Sequence, residues 1–201
     1  MLILQIYDYL TGYYTEKTPY MINFAKIIYN LMGLCQNIIA AYIYFIDRSI
    51  DNCKDFAELV FFVCILDTFF IFDNVVYIHH ALLFAMYFVY KTYNLDLEDN
   101  KDTFMILLST ELSTILLSAR NIISLTGYFH DYHMAVSLLF AISFIYFRIY
   151  RYSIYVYNHI GELILPVQFA MLLLLGLNTF WSTKIIQKGY TEIFSQKLKN
   201  M

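Results

Sequence analysis

Polar residues along this 201-residue chain come in short clusters, and between them run long stretches that hydrocarbon would accept. A transmembrane helix needs roughly 17–25 mostly apolar residues. Windows of that length fall at 27–46, 56–72, 75–93, 103–125, 132–152 and 162–186. The breaks "DRSIDNCKD", "DN", "NLDLEDNKD", "TGYFHDY" and "YNHIG" are short, so each helix is expected to run antiparallel to the one before it. The pattern predicts an all-α polytopic membrane protein, with about six transmembrane helices in one compact bundle. Residues 1–26, mixed polar and aromatic and closed by Pro19, form a lead-in that reads as interfacial. Residues 27–190 are the transmembrane unit and 191–201 a basic tail.

Composition agrees with that solvent. Hydrophobic residues make up 60% of the chain and aromatic residues 19%, while only 14% are charged, and the mean hydropathy is +0.57. Those values are too apolar for an ordinary soluble domain. A net charge of −3 with scattered Lys and Arg offers no basic patch to nucleic acid. Cys35, Cys53 and Cys64 form no C-x-x-C pair, so neither a disulfide framework nor a zinc site is indicated. The opening "MLILQIYDYL" has no basic n-region and too short an apolar core for a cleaved signal peptide, so insertion is expected to rest on the internal spans. Six spans would put both termini on one side. Lys17, Lys26, Arg120, Lys184, Lys188, Lys197 and Lys199 there stand against Arg48, Lys54, Lys91, Lys101, Arg148 and Arg151 opposite. That narrow margin tips the C-terminus toward the cytosol.

Ionisable side chains inside apolar windows are costly and usually face the bundle interior, where they pair or do chemistry. Here they are Asp67, His79, His80, Glu111, Arg120, Arg148 and Arg151, with Asn178 and Trp181 as polar companions. Counting outward from Asp73-Asn74, Asp67 and His80 reach one level, roughly 10 Å deep at 1.5 Å per residue. Arg120 and residues 178–182 fall near the same depth on their own windows. Adjacent helical residues point in different directions. One of His79 and His80 is therefore expected to face a cavity and the other a neighbouring helix, the alternative being two donors that only fix packing. Glu111, Thr114 and Ser118 follow at i, i+3 and i+7, a polar stripe expected to face inward and equally readable as a packing seam. Arg120 is half a turn out of phase with Glu111. Arg148 and Arg151, close to the end of the fifth window, are expected to snorkel to the interface, with headgroup binding as the second role. "HDYH", His130 to His133, lies in a polar turn where a solvated loop outweighs a metal site, and no metal is assigned.

Four segments in order, "CILDTFFIFDNVVYIHH", "STELSTILLSAR", "LLFAISFIYFRIY" and "LNTFWSTKIIQKG", resemble the TLC domain of TRAM, Lag-type ceramide synthase and CLN-type proteins. The similarity covers roughly residues 24–192 and lies nearest the smaller TLC-domain-containing proteins. It implies a six-helix membrane barrel around a central lipid-facing cavity, in the endoplasmic reticulum or a connected membrane. In the family's ceramide synthases an HH pair serves acyl transfer from acyl-CoA, and by position that pair is His79-His80. The acidic H-D-x-S-D-type motif of that subfamily has no counterpart around Glu111 to Arg120, which argues against ceramide synthesis itself. The resemblance thus implies a lipid-metabolism protein, with an acyltransferase as the first option and acyl-CoA or an acyl lipid as donor.

In that reading Asp67 orients an imidazole, one of His79 and His80 is nucleophile or base, and the other, with Glu111, positions the acceptor. Ser118, Arg120, Arg148, Asn178 and Trp181 are the substrate-binding candidates. No bound cofactor is expected. The partners are a membrane lipid and the bilayer, with a homodimer as one option. A non-catalytic lipid-binding or lipid-homeostasis protein is the alternative, and a transporter or protein-trafficking helper the third.

Overall fold

The computed structural model describes residues 19–47, 49, 55–56, 58–60, 74–92 and 101–199. Every regular element among them is helical: α1 (Pro19–Tyr42), α2 (Asn74–Thr92), α3 (Lys101–Thr126), α4 (His133–Phe144), α5 (Tyr152–His159) and α6 (Leu165–Lys199). A π-helical stretch, Ile43–Asp47, extends α1, and another, Ile145–Arg151, joins α4 to α5. Four stretches are long and apolar enough to cross a bilayer: Lys26–Asp47, Lys101–Thr126, His133–Glu162 and Leu165–Thr191, of 22, 26, 30 and 27 residues. At 1.5 Å per residue they reach about 33–45 Å, beyond the ~30 Å hydrocarbon core. The chain is a helical, multi-pass membrane protein.

Six spans, and with them the six-helix barrel, are corrected to four among the described residues. The 56–72 window lies almost wholly outside those residues. α2 does form, over 19 residues, but among the described residues only His80–Val89 within it counts as an apolar stretch, shorter than a span. α2 packs on α6 and delivers Met86 to the buried core. The fifth window is also longer than its charges suggested. Arg148 and Arg151 were expected to mark its end, yet the rod continues through α5 to a 3-10 turn at Ile160–Glu162.

The helices are amphipathic in the sense opposite to a soluble bundle. On α1 and its π extension the buried positions are Asn30, Asn37, Ala40, Ile43 and Tyr44, while Phe24, Leu31, Met32, Ile38 and Tyr42 are exposed. Lipid is a good solvent for the second set and a poor one for the first, so the polar face turns inward. α3 is the central helix, packed against α1, α4 and α5. Ser109 and Ser113, four residues apart and fully buried, let neighbouring backbones approach. Their hydroxyls donate to the Ile106 and Thr110 carbonyls, at 2.7 and 2.9 Å, so neither is left unsatisfied in a dry seam.

The rod buries Phe140, Phe144, Arg148, Tyr152 and Val156, a spacing of four throughout. In a regular α-helix that spacing drifts by ~40° per step, or ~160° over the series. The π segment, with its wider turn, falls in the middle of the series and offsets part of the drift. Arg148 is thereby turned inward. At one end of the bundle α3 closes on Gly127, whose φ of +71° suits glycine and whose N–H donates to the Ile123 carbonyl at 3.0 Å. The turn that follows exposes Tyr128, Phe129 and Tyr132, the aromatic residues that favour a membrane–water interface.

Candidate functional site

Near the end of the bundle marked by that aromatic turn, five helices diverge around a cavity of about 460 Å³. α1 contributes Asn30, Gly33 and Asn37; α2 His80 and Leu83; and α3 Glu111, Thr114, Ser118, Arg120 and Asn121. α4 with its π extension adds Phe140, Phe144 and Arg148, and α6 adds Trp181, Lys184, Ile185 and Lys188. Polar and apolar side chains share the lining.

The inner end of the cavity is a hydrogen-bond network centred on Arg148. Its Nε donates to the Thr110 carbonyl (3.1 Å) and to Ser113 Oγ (3.0 Å), Nη2 to Thr114 Oγ1 (3.0 Å), and Nη1 to Asn178 Oδ1 (3.5 Å). Glu111 Oε1 lies 3.6 Å from Nη2, an ion pair rather than a hydrogen bond. The other carboxylate oxygen accepts from Thr114 Oγ1 at 3.3 Å. The Phe144 ring lies 5.4 Å beneath the guanidinium. Arg148 is thus held at the junction of α3, the rod and α6 by partners on each, and the expectation that it snorkels to the interface is corrected. A guanidinium with this many donors satisfied gains more inside than it would by crossing the bundle wall. Arg151 instead donates to Tyr44 Oη and sits over that ring.

Toward the mouth the chemistry changes. Arg120 Nε donates to Ser137 Oγ at 2.9 Å, tying α3 to α4. Lys184 and Lys188, one turn apart on α6, are exposed on the rim. On the opposite wall Asn121 Nδ2 donates to Asn30 Oδ1 at 3.1 Å, and Asn30 Nδ2 to the Lys26 carbonyl at 2.7 Å. Asn37 Nδ2 donates to the Gly33 carbonyl at 2.6 Å. Its Oδ1 is buried with no hydrogen-bond partner among the described residues. Four cationic side chains, Arg120, Arg148, Lys184 and Lys188, share the lining with one carboxylate, Glu111. In a low-dielectric cavity that imbalance attracts an anion.

Of the residues singled out in the sequence, the structure brings His80, Glu111, Ser118, Arg120, Arg148 and Trp181 onto this one cavity. Asn178 lies behind it and acts through Arg148. Asp67 lies outside the described residues, and His79 is described only as part of α2. His80 is buried, 6% exposed. Among the described residues no cluster of His, Cys, Asp or Glu could hold a metal ion. Sequence reasoning missed the α1 wall. Asn30, Gly33 and Asn37 repeat at i, i+3 and i+7 inside an apolar window, the same spacing that drew notice to Glu111, Thr114 and Ser118.

Fold and cavity together define a multi-pass helical membrane protein that carries a half-open, cationic and partly apolar pocket. No family model, curated protein or solved structure matches the chain, so the TLC resemblance rests on its residue pattern alone.

Proposed function

We propose that this protein binds one membrane amphiphile in the cavity, as a lipid-metabolism or lipid-homeostasis protein of TLC-like sequence in the endoplasmic reticulum or a connected membrane. The observation that carries the reading is a cavity of about 460 Å³ among membrane-crossing helices, apolar along Leu83, Leu117, Phe140 and Phe144 and cationic at Arg120, Lys184 and Lys188. That division suits an acyl chain with a polar head. The test is mass spectrometry of lipid extracted from the washed, purified full chain and from a Leu117→Trp variant, which fills the cavity. The native chain is expected to retain about one amphiphile per molecule and the folded variant far less. Equal retention by both would remove the cavity from the explanation.

A second reading, acyl transfer, is favoured by one observation: His80 is buried and lines the same cavity as Glu111. There the imidazole would take the proton of a hydroxyl or amine acceptor as that acceptor attacks the thioester of acyl-CoA or the ester of an acyl lipid. The thiol or alcohol of the donor would then leave. Acyl turnover lost in His80→Ala while lipid retention persists separates this reading from binding alone.

A further inference from the structure

The rim of the cavity carries hydrogen-bond donors that the described residues leave unmatched. Arg120 donates through Nε only, and its two terminal nitrogens have no partner among the described residues. Lys184 and Lys188 have no carboxylate partner among those residues. Lys184 lies 5.5 Å from the centre of the Phe180 ring, which leaves its ammonium donors available at the rim. These three cations, from α3 and α6, line the same cavity. Depth adds a further constraint. Arg120 precedes Gly127 by two turns, roughly 10 Å of helix, and the exposed aromatic turn beyond Gly127 marks the interfacial layer. The cationic rim therefore lies within about two helical turns of the interfacial layer, nearer the headgroups than the chain ends.

Building on the proposed lipid binding, we infer that the occupant's polar end is an anionic phosphate ester. Arg120, Lys184 and Lys188 receive the phosphate, and the acyl chain lies along Leu117, Phe140 and Phe144. A glycerophospholipid headgroup has this chemistry, and so does a soluble phosphate compound entering from the rim.

The chain supplies its own probe, because Trp181 is its single tryptophan and lines the cavity. The full-length protein is placed in phosphatidylcholine nanodiscs, where both faces meet buffer. Trp181 fluorescence is titrated with bromine-labelled phosphatidylglycerol or bromine-labelled phosphatidylcholine, each competed by its unlabelled form. Phosphatidylglycerol, with a net negative phosphate and free hydroxyls, is expected to quench saturably at a mole fraction about tenfold lower, given the attraction of each basic residue for anionic lipid. Lys184→Gln with Lys188→Gln is expected to erase that preference, and the charge-conserving Lys184→Arg with Lys188→Arg to keep it. Both lysines are exposed, so neither pair threatens folding. Millimolar inorganic phosphate is expected to leave the quenching intact. Equal, saturable curves for the two lipids would overturn the headgroup inference and leave lipid binding standing. Relief of quenching by inorganic phosphate would overturn the lipid source in favour of a soluble phosphate compound. Absence of saturable quenching by either lipid would remove both the inference and the reading beneath it.

Discussion

The same helices build two unlike ends. At one, Met86 of α2, Ile106 of α3, Tyr152 and Val156 of α5, and Val167, Ala170, Met171 and Leu174 of α6 form a closed apolar core. Its main polar group, the Tyr152 hydroxyl, donates to the Met171 carbonyl at 3.2 Å and lies 3.0 Å from Met171 Sδ. At the other end the helices continue as Ser118 and Arg120, as Phe140 and Phe144, and as Trp181 and Lys184, and they stand apart around the cavity. The boundary between the two is the Arg148 layer, with Glu111, Ser113, Thr114 and Asn178. The difference shows what each kind of contact can do in a membrane. Dispersion draws apolar faces together until no space remains. Hydrogen bonds fix helices at set distances, and with polar side chains of unequal length they leave a gap.

Breaking the boundary layer is expected to have the largest effect. Arg148→Ala leaves Glu111 without its cation and Ser113, Thr114 and Asn178 without their donor, at a cost of about 3–5 kcal/mol. The measurement is reversible unfolding in mixed micelles. Arg148→Met combined with Glu111→Gln removes both charges while keeping volume, and recovers most of that loss if the cost is the orphaned carboxylate. Failure of the pair to recover would mean that the layer acts by shape, and the two ends would then be one continuous core.

The next test works on the dry end alone. Met171 is fully buried among Tyr152, Ala170 and Leu174, so Met171→Ala opens a void there at about 2–5 kcal/mol. Lipid retention by the cavity should be unchanged, because none of the Met171 contacts line it. A variant that lost both stability and lipid would show that the ends are coupled.

How much of this was legible beforehand differs between the two ends as well. The four long helices were visible as apolar windows, because length and polarity alone decide what can cross a bilayer. Their inward faces were only half visible. Glu111, Ser118 and Arg120 stood out as ionisable or clustered polar residues, whereas Asn30 and Asn37 passed as ordinary uncharged residues of a span. Arg148 was misplaced because a charge in a window reads as the window's edge. Nothing in a single sequence tells a snorkelling arginine from one met inside by a carbonyl and three hydrogen-bonding side chains. The dry core left no polar mark at all, and only the packing of Met86 on α6 revealed it.

The smallest expected effect sharpens the comparison most. Asn121→Ala removes the 3.1 Å hydrogen bond from α3 to Asn30 of α1 across the wet end. Interhelical hydrogen bonds inside membranes average about 0.6 kcal/mol and seldom exceed ~1.7. Here the low value is expected, because Asn30 keeps its bond to the Lys26 carbonyl and its freed oxygen faces the cavity, where an occupant or water can donate to it. Unfolding in the same micelles that shows a loss under about 1 kcal/mol, beside the larger loss in Met171→Ala, marks the cavity as occupied space with partners to offer. A loss as large as at Met171 would mean that nothing replaces the missing donor. The wet end would then be as dry as its counterpart, and the site proposed there would have no room for a ligand.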